Sequence, residues 1–137
     1  MKKTLAIIIS FSFSILILSG QGEQTAVYKD SSEAIYGYYE YLPLGYDTEL
    51  NEQFPLVIFL HGLGELGNGN DQLSKVAKNG PPKMLKGDFD LPAVVLSPQS
   101  SNWWKSSTLD SFLEWVKVNY RIDESRIYMT GLSMGGG

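Results

Sequence analysis

The stretch that decides the fold is Arg126 to Gly137, which reads RIYMTGLSMGGG. Its first five residues include Ile, Tyr and Thr, which are enriched in strands, and they predict a strand. The strand runs directly into residues 131–135, GLSMG, which fit the pattern G-x-S-x-G. Glycines two positions before and after a serine leave room for a sharp strand-to-helix turn that exposes the hydroxyl at its tip. The pattern therefore predicts that Ser133 is a catalytic nucleophile.

A second glycine-rich segment precedes this turn in the chain. Leu56 to Leu60, LVIFL, is a continuous apolar run that predicts a strand buried on both faces, and it leads into residues 61–69, HGLGELGNG. In serine hydrolases, an N–H group of the loop after an early strand stabilises the charge that develops on the substrate oxygen. A phosphate cradle is the alternative, but the segment lacks both G-K-[ST] and G-x-G-x-x-G. We therefore expect this loop to hold an oxyanion.

The remaining periodic segments alternate between strands and helices. Glu33 to Leu42 and Pro92 to Ser97 predict strands, Asp71 to Lys78 and Leu109 to Tyr120 predict helices, and Glu23 to Ser32 is expected to be a polar linker. Such alternation favours an α/β fold with a mostly parallel sheet that is covered by helices on both faces.

The N-terminus has the layout of a secretory signal peptide. A positively charged start precedes an apolar run from Leu5 to Leu18, and Gly20 and Gly22 supply small residues near a cleavage site. We expect residues 1–22 to be the signal and residues 23–137 the domain, so that the protein is secreted or periplasmic and leaves the membrane after cleavage. A membrane anchor is the alternative, but the run is shorter than the roughly 20 residues that a span needs.

Composition excludes several kinds of chemistry. The 137 residues include no cysteine and one histidine, His61, and they carry a net charge of −4. Disulfides and thiolate nucleophiles are therefore excluded. Nothing indicates a metal or another cofactor, and without a basic run nucleic acid is not an expected partner.

Five segments, spread over nearly all of the chain after the signal, resemble a known family. They are FLHGLGELGNGN (59–70), KNGPPKML (78–85), VVLSPQ (94–99), WW (103–104) and RIYMTGLSMGGG (126–137). They resemble the N-terminal half of an α/β-hydrolase. Within that superfamily they are most similar to the phospholipase/carboxylesterase-like secreted bacterial esterases, a group that includes "predicted peptidases" and enzymes similar to feruloyl esterases and polyhydroxybutyrate depolymerases. The resemblance implies a fold that is truncated at the turn bearing the serine.

The resemblance also assigns roles to residues of both glycine-rich segments. It implies that Ser133 accepts the acyl group and that the backbone N–H groups of Leu63 and Met134 form the oxyanion hole. The motif glycines are Gly62, Gly64, Gly131 and Gly135. The triad acid and histidine follow the serine in this fold. His61 is therefore expected to be structural, with its ring bonded to the loop backbone.

Three further residues are weaker candidates for lining a substrate cleft. For Trp103 and Trp104, one core residue and one loop anchor is an equally good interpretation. For Glu65, a carboxylate that orders the loop is the favoured alternative.

Together these patterns predict a secreted serine hydrolase that cleaves small-molecule or polymer-borne carboxylic esters through an acyl-enzyme on Ser133. No triad acid or base follows the serine, so we expect an N-terminal fragment that is inactive by itself. A serine peptidase of the prolyl-oligopeptidase-like type would use the same machinery and stays open. A non-catalytic secreted binding protein or a non-folding fragment is the alternative from another class.

Overall fold

The computed structural model describes residues 20–137, and its centre is a five-stranded sheet in the order β1-β2-β4-β3-β5. The strands are β1 (Glu23–Val27), β2 (Gly37–Leu42), β3 (Phe54–Leu60), β4 (Val94–Gln99) and β5 (Ile122–Gly131). β3 pairs in parallel with β4 and β5, whereas β1 and β2 add antiparallel strands beside β4. Most of the expected signal peptide, residues 1–19, lies outside the described residues.

Helices cover both faces of this sheet, as the sequence predicts. The longer helix, α2 (Ser106–Asn119), places Phe112 and Val116 on the face that carries Ile58 of β3. The opposite face is covered by the segment around α1 (Gly80–Met84), with Leu85 packed against β2 and β4. Because successive strand residues point to opposite faces, an apolar run such as LVIFL supplies both cores at once. The predicted α/β fold class is confirmed.

Two predicted elements differ from the structure. The interpretation of residues 23–32 as a linker is wrong, because Glu23–Val27 forms β1 and pairs with β2 from Glu23 opposite Leu42 to Val27 opposite Tyr38. A five-residue edge strand with polar positions has little signal of its own and is decided by its partner. The short helix predicted from Asp71 is a 3-10 turn over Leu73–Lys78, whose buried side chains fit either helix type.

The helices of residues 20–137 are short. α1 has 5 residues and α2 has 14. None of the helices in this part of the chain is long and apolar enough to cross a bilayer.

The turn after β5 depends on the absence of two side chains. A Cβ atom on Gly131 would lie 1.9 Å from the carbonyl oxygen of Gly135, and a Cβ atom on Gly135 would lie 2.1 Å from the carbonyl oxygen of Leu60. Both obstacles are backbone atoms, so neither contact is relieved by a side-chain rotation. The turn is thus seated directly on the end of β3.

We predict that Gly135→Ala lowers the free energy of unfolding by about 3 kcal/mol, because overpacking against backbone displaces the turn from β3. Gly64→Ala is the matched control, since a Cβ atom there meets nothing within 4 Å. It should leave stability unchanged or raise it by less than about 1 kcal/mol. Urea unfolding measures both values, and equal losses would contradict the contact at Leu60.

Candidate active site

Ser133 lies at the tip of a strained turn at the end of β5. Its φ angle is 53°, and no other non-glycine residue among residues 20–137 has a positive φ. This left-handed region is uncommon for residues with a Cβ atom, and such strain is typical of functional sites. The Leu132 N–H donates to the Leu60 carbonyl oxygen at 3.0 Å, which holds the turn against β3. The geometry is that of a nucleophile elbow.

The glycine-rich loop after β3 meets this elbow. A Cβ atom built on Gly62 would lie 3.5 Å from the Ser133 Cβ and 3.2 Å from the Leu132 carbonyl oxygen. The contact arises because β3 and β5 are parallel neighbours, with Leu60 opposite Gly131, so their carboxyl ends adjoin. The structure therefore brings together the two motifs that sequence analysis singled out.

In each of these turns, the backbone N–H groups that precede the first hydrogen-bond donor are free of the turn's own hydrogen bonding. In the 3-10 turn Leu63–Glu65, the first bond runs from the Glu65 N–H to the Gly62 carbonyl at 3.2 Å. In the turn that begins at Ser133, the corresponding bond runs from Gly135 to Leu132 at 2.9 Å. The N–H groups of Leu63 and Gly64 in the first turn, and of Ser133 and Met134 in the second, precede those donors and have no acceptor within their turns.

His61 is completely buried beneath the loop, and both ring nitrogens have partners. The Ser100 N–H donates to Nε2 at 3.0 Å, so Nε2 carries the lone pair and Nδ1–H donates to the Gly62 carbonyl at 2.7 Å. Burial lowers the pKa of His61, and the ring is therefore neutral at pH 7. Because its basic nitrogen is already occupied, this imidazole has no lone pair to accept the proton of Ser133.

Glu65 is a buried carboxylate at the end of the 3-10 turn within the loop. Its Oε1 accepts a hydrogen bond from the Asn79 side-chain amide, which ties the loop to the start of α1. Its Oε2 lies 3.2 Å from the point that a Gly62 Cβ would occupy, and that same point is 3.5 Å from the Ser133 Cβ. Glu65 therefore orders the loop and also borders the space around the serine.

The two tryptophans occupy different environments. Trp104 is half-buried, donates from Nε1 to the His61 carbonyl oxygen at 3.0 Å and has its ring centre 4.8 Å from that of His61. It also borders a depression of about 570 Å³ that extends over Met134 and the other elbow residues. Trp103 is 66% exposed and faces a separate cavity. Of the pair, the structure brings only Trp104 to the elbow.

Sequence analysis missed a residue that holds the loop in place, Gln99. Its side chain is buried, accepts from the Gly69 N–H at 2.9 Å and donates to the carbonyl oxygens of Glu65 at 2.9 Å and Gln72 at 2.8 Å. A polar residue at the end of the apolar run VVLSPQ was the available signal. Its partners are set by tertiary structure, so the sequence did not reveal them.

Side chains of the types that bind metal ions do not cluster in the described part of the chain. No group of three or more His, Cys, Asp or Glu side chains within residues 20–137 is arranged to hold an ion.

Comparisons with known proteins agree with this geometry. No protein-family profile matches the chain. It is 31% identical over 103 residues to a probable feruloyl esterase C of Aspergillus terreus, a match that covers 70% of the chain and 36% of that relative. A solved ferulic acid esterase superposes with a TM-score of 0.53 at 19% identity, over 84% of the chain and 50% of the esterase. A thermostable esterase is 27% identical, with a TM-score of 0.49, over 84% and 35% of the two chains.

The elbow, the glycine loop and a sheet in which β3, β4 and β5 run parallel define an α/β-hydrolase fold. Within that class, the proteins that the chain resembles are esterases, and the resemblance inferred from the sequence is confirmed. The chain spans about a third of the length of its curated relative.

We predict that His61 makes stability depend on pH. Its pKa in the folded state lies below the ordinary value of about 6.5, so the unfolded chain binds the proton more readily. This contribution is complete above pH ~6.5 and is lost as pH falls toward the lowered folded-state pKa. Above pH ~6.5, the melting temperature of His61→Gln should lie below that of wild type. The two melting temperatures should converge as the pH falls toward the lowered folded-state pKa of His61. Parallel curves from pH ~8 to ~5 would contradict the neutral buried ring.

Proposed function

We propose that this chain carries the nucleophile and the oxyanion hole of a secreted serine hydrolase that cleaves carboxylic esters. Ser133 attacks the ester carbonyl and forms an acyl-enzyme, which water then hydrolyses. The N–H groups of Leu63 and Met134 bind the oxyanion of the tetrahedral intermediate.

The observation that carries this proposal is the strained Ser133 beside the Gly62 loop. The cost of a left-handed serine, about 1–3 kcal/mol, is retained where the surrounding structure requires it for function. A Gly-Ser loop without a catalytic role would have no need of free N–H groups in two turns at the ends of adjoining parallel strands. The absence of a Cβ at Gly62 leaves the approach to Ser133 open.

The catalytic base would come from outside these 137 residues. His61 is the sole histidine of the sequence, and its Nε2 is occupied by the Ser100 N–H. Glu65 and Asn79 are likewise engaged with each other. Serine without an adjacent base is a weak nucleophile, so we propose that the 137-residue chain alone does not turn over esters.

Esters are the favoured substrates because the similar proteins are esterases. An ester is also the easier substrate for a serine nucleophile, since an alkoxide leaves more readily than an amide nitrogen. We further propose that residues 1–22 direct secretion and are removed before residues 23–137 act, on the evidence of their charged start and apolar run.

We predict that Ser133→Ala abolishes p-nitrophenyl ester hydrolysis by the enzyme that carries this sequence, with kcat falling by about 10⁴-fold or more. The matched control is Ser111→Ala, an exposed serine of α2 that lines neither the depression over Met134 nor the glycine loop, and it should retain wild-type kcat. A serine-directed sulfonyl fluoride should label the tryptic peptide that contains Ser133. An unchanged kcat in Ser133→Ala would overturn the assignment.

The 137-residue chain tests the source of the base separately. It should show no p-nitrophenyl ester turnover above its own Ser133→Ala variant. Serine-dependent turnover by this chain would refute the proposal that the base lies outside it, while leaving Ser133 as the nucleophile.

A further inference from the structure

A second cavity, of about 360 Å³, is lined by none of the elbow residues. Trp104 and Ser106 border the depression over Met134 and the neighbouring glycines, whereas Trp103 and Lys105 border this cavity. The volume is within the range of small-ligand sites, roughly 300–1,000 Å³. None of the residues assigned to the esterase reaction lines it except Trp103, a weak candidate for the substrate cleft.

The cavity is cationic although the chain is acidic overall. Lys29 and Lys105 border it, and no Asp or Glu is among its lining residues. The two ammonium groups make no ion pair with any side chain in residues 20–137. The chain itself has a net charge of −4, so a purely cationic pocket is a local departure from the rest of the surface. Such a pocket favours a ligand that carries negative charge.

One wall is an exposed aromatic ring, and the floor is rigid and polar. Trp103 leaves two thirds of its surface in solvent, which is unusual for so large an apolar side chain. Gln99 forms part of the floor and is held by three hydrogen bonds, while Asn102 is bonded through its N–H to the Ser100 hydroxyl at 3.2 Å. A rigid pocket reduces the entropy lost on binding.

We propose that this cavity binds a sugar residue that bears a carboxylate. The apolar C–H face of a pyranose ring packs on the Trp103 indole, the ring hydroxyls bond to Asn102 and neighbouring hydroxyl groups, and the carboxylate lies between Lys29 and Lys105. Each feature alone fits other ligands, whereas an amphipathic ring with one negative charge uses all three. The site is independent of the proposed esterase activity, because binding here requires neither Ser133 nor a base.

The test is calorimetric titration of the purified protein with a galacturonic acid trimer and with the neutral galactose trimer. The acidic trimer should bind about tenfold more tightly, a preference that two partly exposed ion pairs can supply. Lys29→Gln/Lys105→Gln should reduce its affinity to that of the neutral trimer. Trp103→Ala should weaken both by about tenfold or more. In ~1 M salt the preference should disappear, because the Debye length is then about 3 Å.

The control variant is Lys78→Gln/Lys83→Gln, which makes the same charge change at exposed lysines that do not line the cavity. It should leave both affinities unchanged, and thermal melts should show all variants folded. Equal binding of the two trimers, or binding of neither, would overturn the proposal. So would a lysine-dependent affinity for inorganic sulfate combined with saccharide affinities that Trp103→Ala does not alter, since the site would then bind anions without recognising a sugar.

Discussion

The contact on which the site depends is the close approach of backbone to backbone where the turn after β5 meets the end of β3. Gly135 lies so near the Leu60 carbonyl that no side chain fits between them, and Gly131 is equally close to Gly135. This seat, together with the Leu132–Leu60 hydrogen bond, holds Ser133 in its left-handed conformation. The strain at one residue is thus offset by the parallel pairing of β3 with residues 127–131 of β5.

The glycine loop opposite the serine is fixed by buried polar side chains rather than by apolar packing. His61 bridges the loop to the backbone after β4, Gln99 holds it from the end of β4, and Glu65 ties it to the residue before α1. Buried polar groups of this kind are costly unless they are satisfied, and here each is satisfied by the loop's own backbone or by a neighbour. The same bonds that make the loop rigid also consume the basic nitrogen of His61. Its bonds therefore hold the backbone of the loop in place.

The segment between β4 and α2 separates two environments with different chemistry. Trp104 donates a hydrogen bond to the His61 carbonyl and borders the depression over Met134, whereas Trp103 borders the cationic cavity. Neighbouring residues of one short segment thus border two separate depressions.

The sequence by itself determined the strand–loop–helix alternation, the G-x-S-x-G turn and the position of the glycine-rich loop after β3, because each depends on local patterning and on glycine. It did not reveal strand β1, the hydrogen bonds by which Gln99 holds the glycine-rich loop, or the different environments of Trp103 and Trp104. Those features depend on which segments become neighbours. Val27 pairs with Tyr38 across the edge of the sheet, and Gln99 reaches carbonyls of residues far from it in sequence. Local propensity encodes a turn, whereas only the packed sheet decides what a polar side chain at its edge will bind.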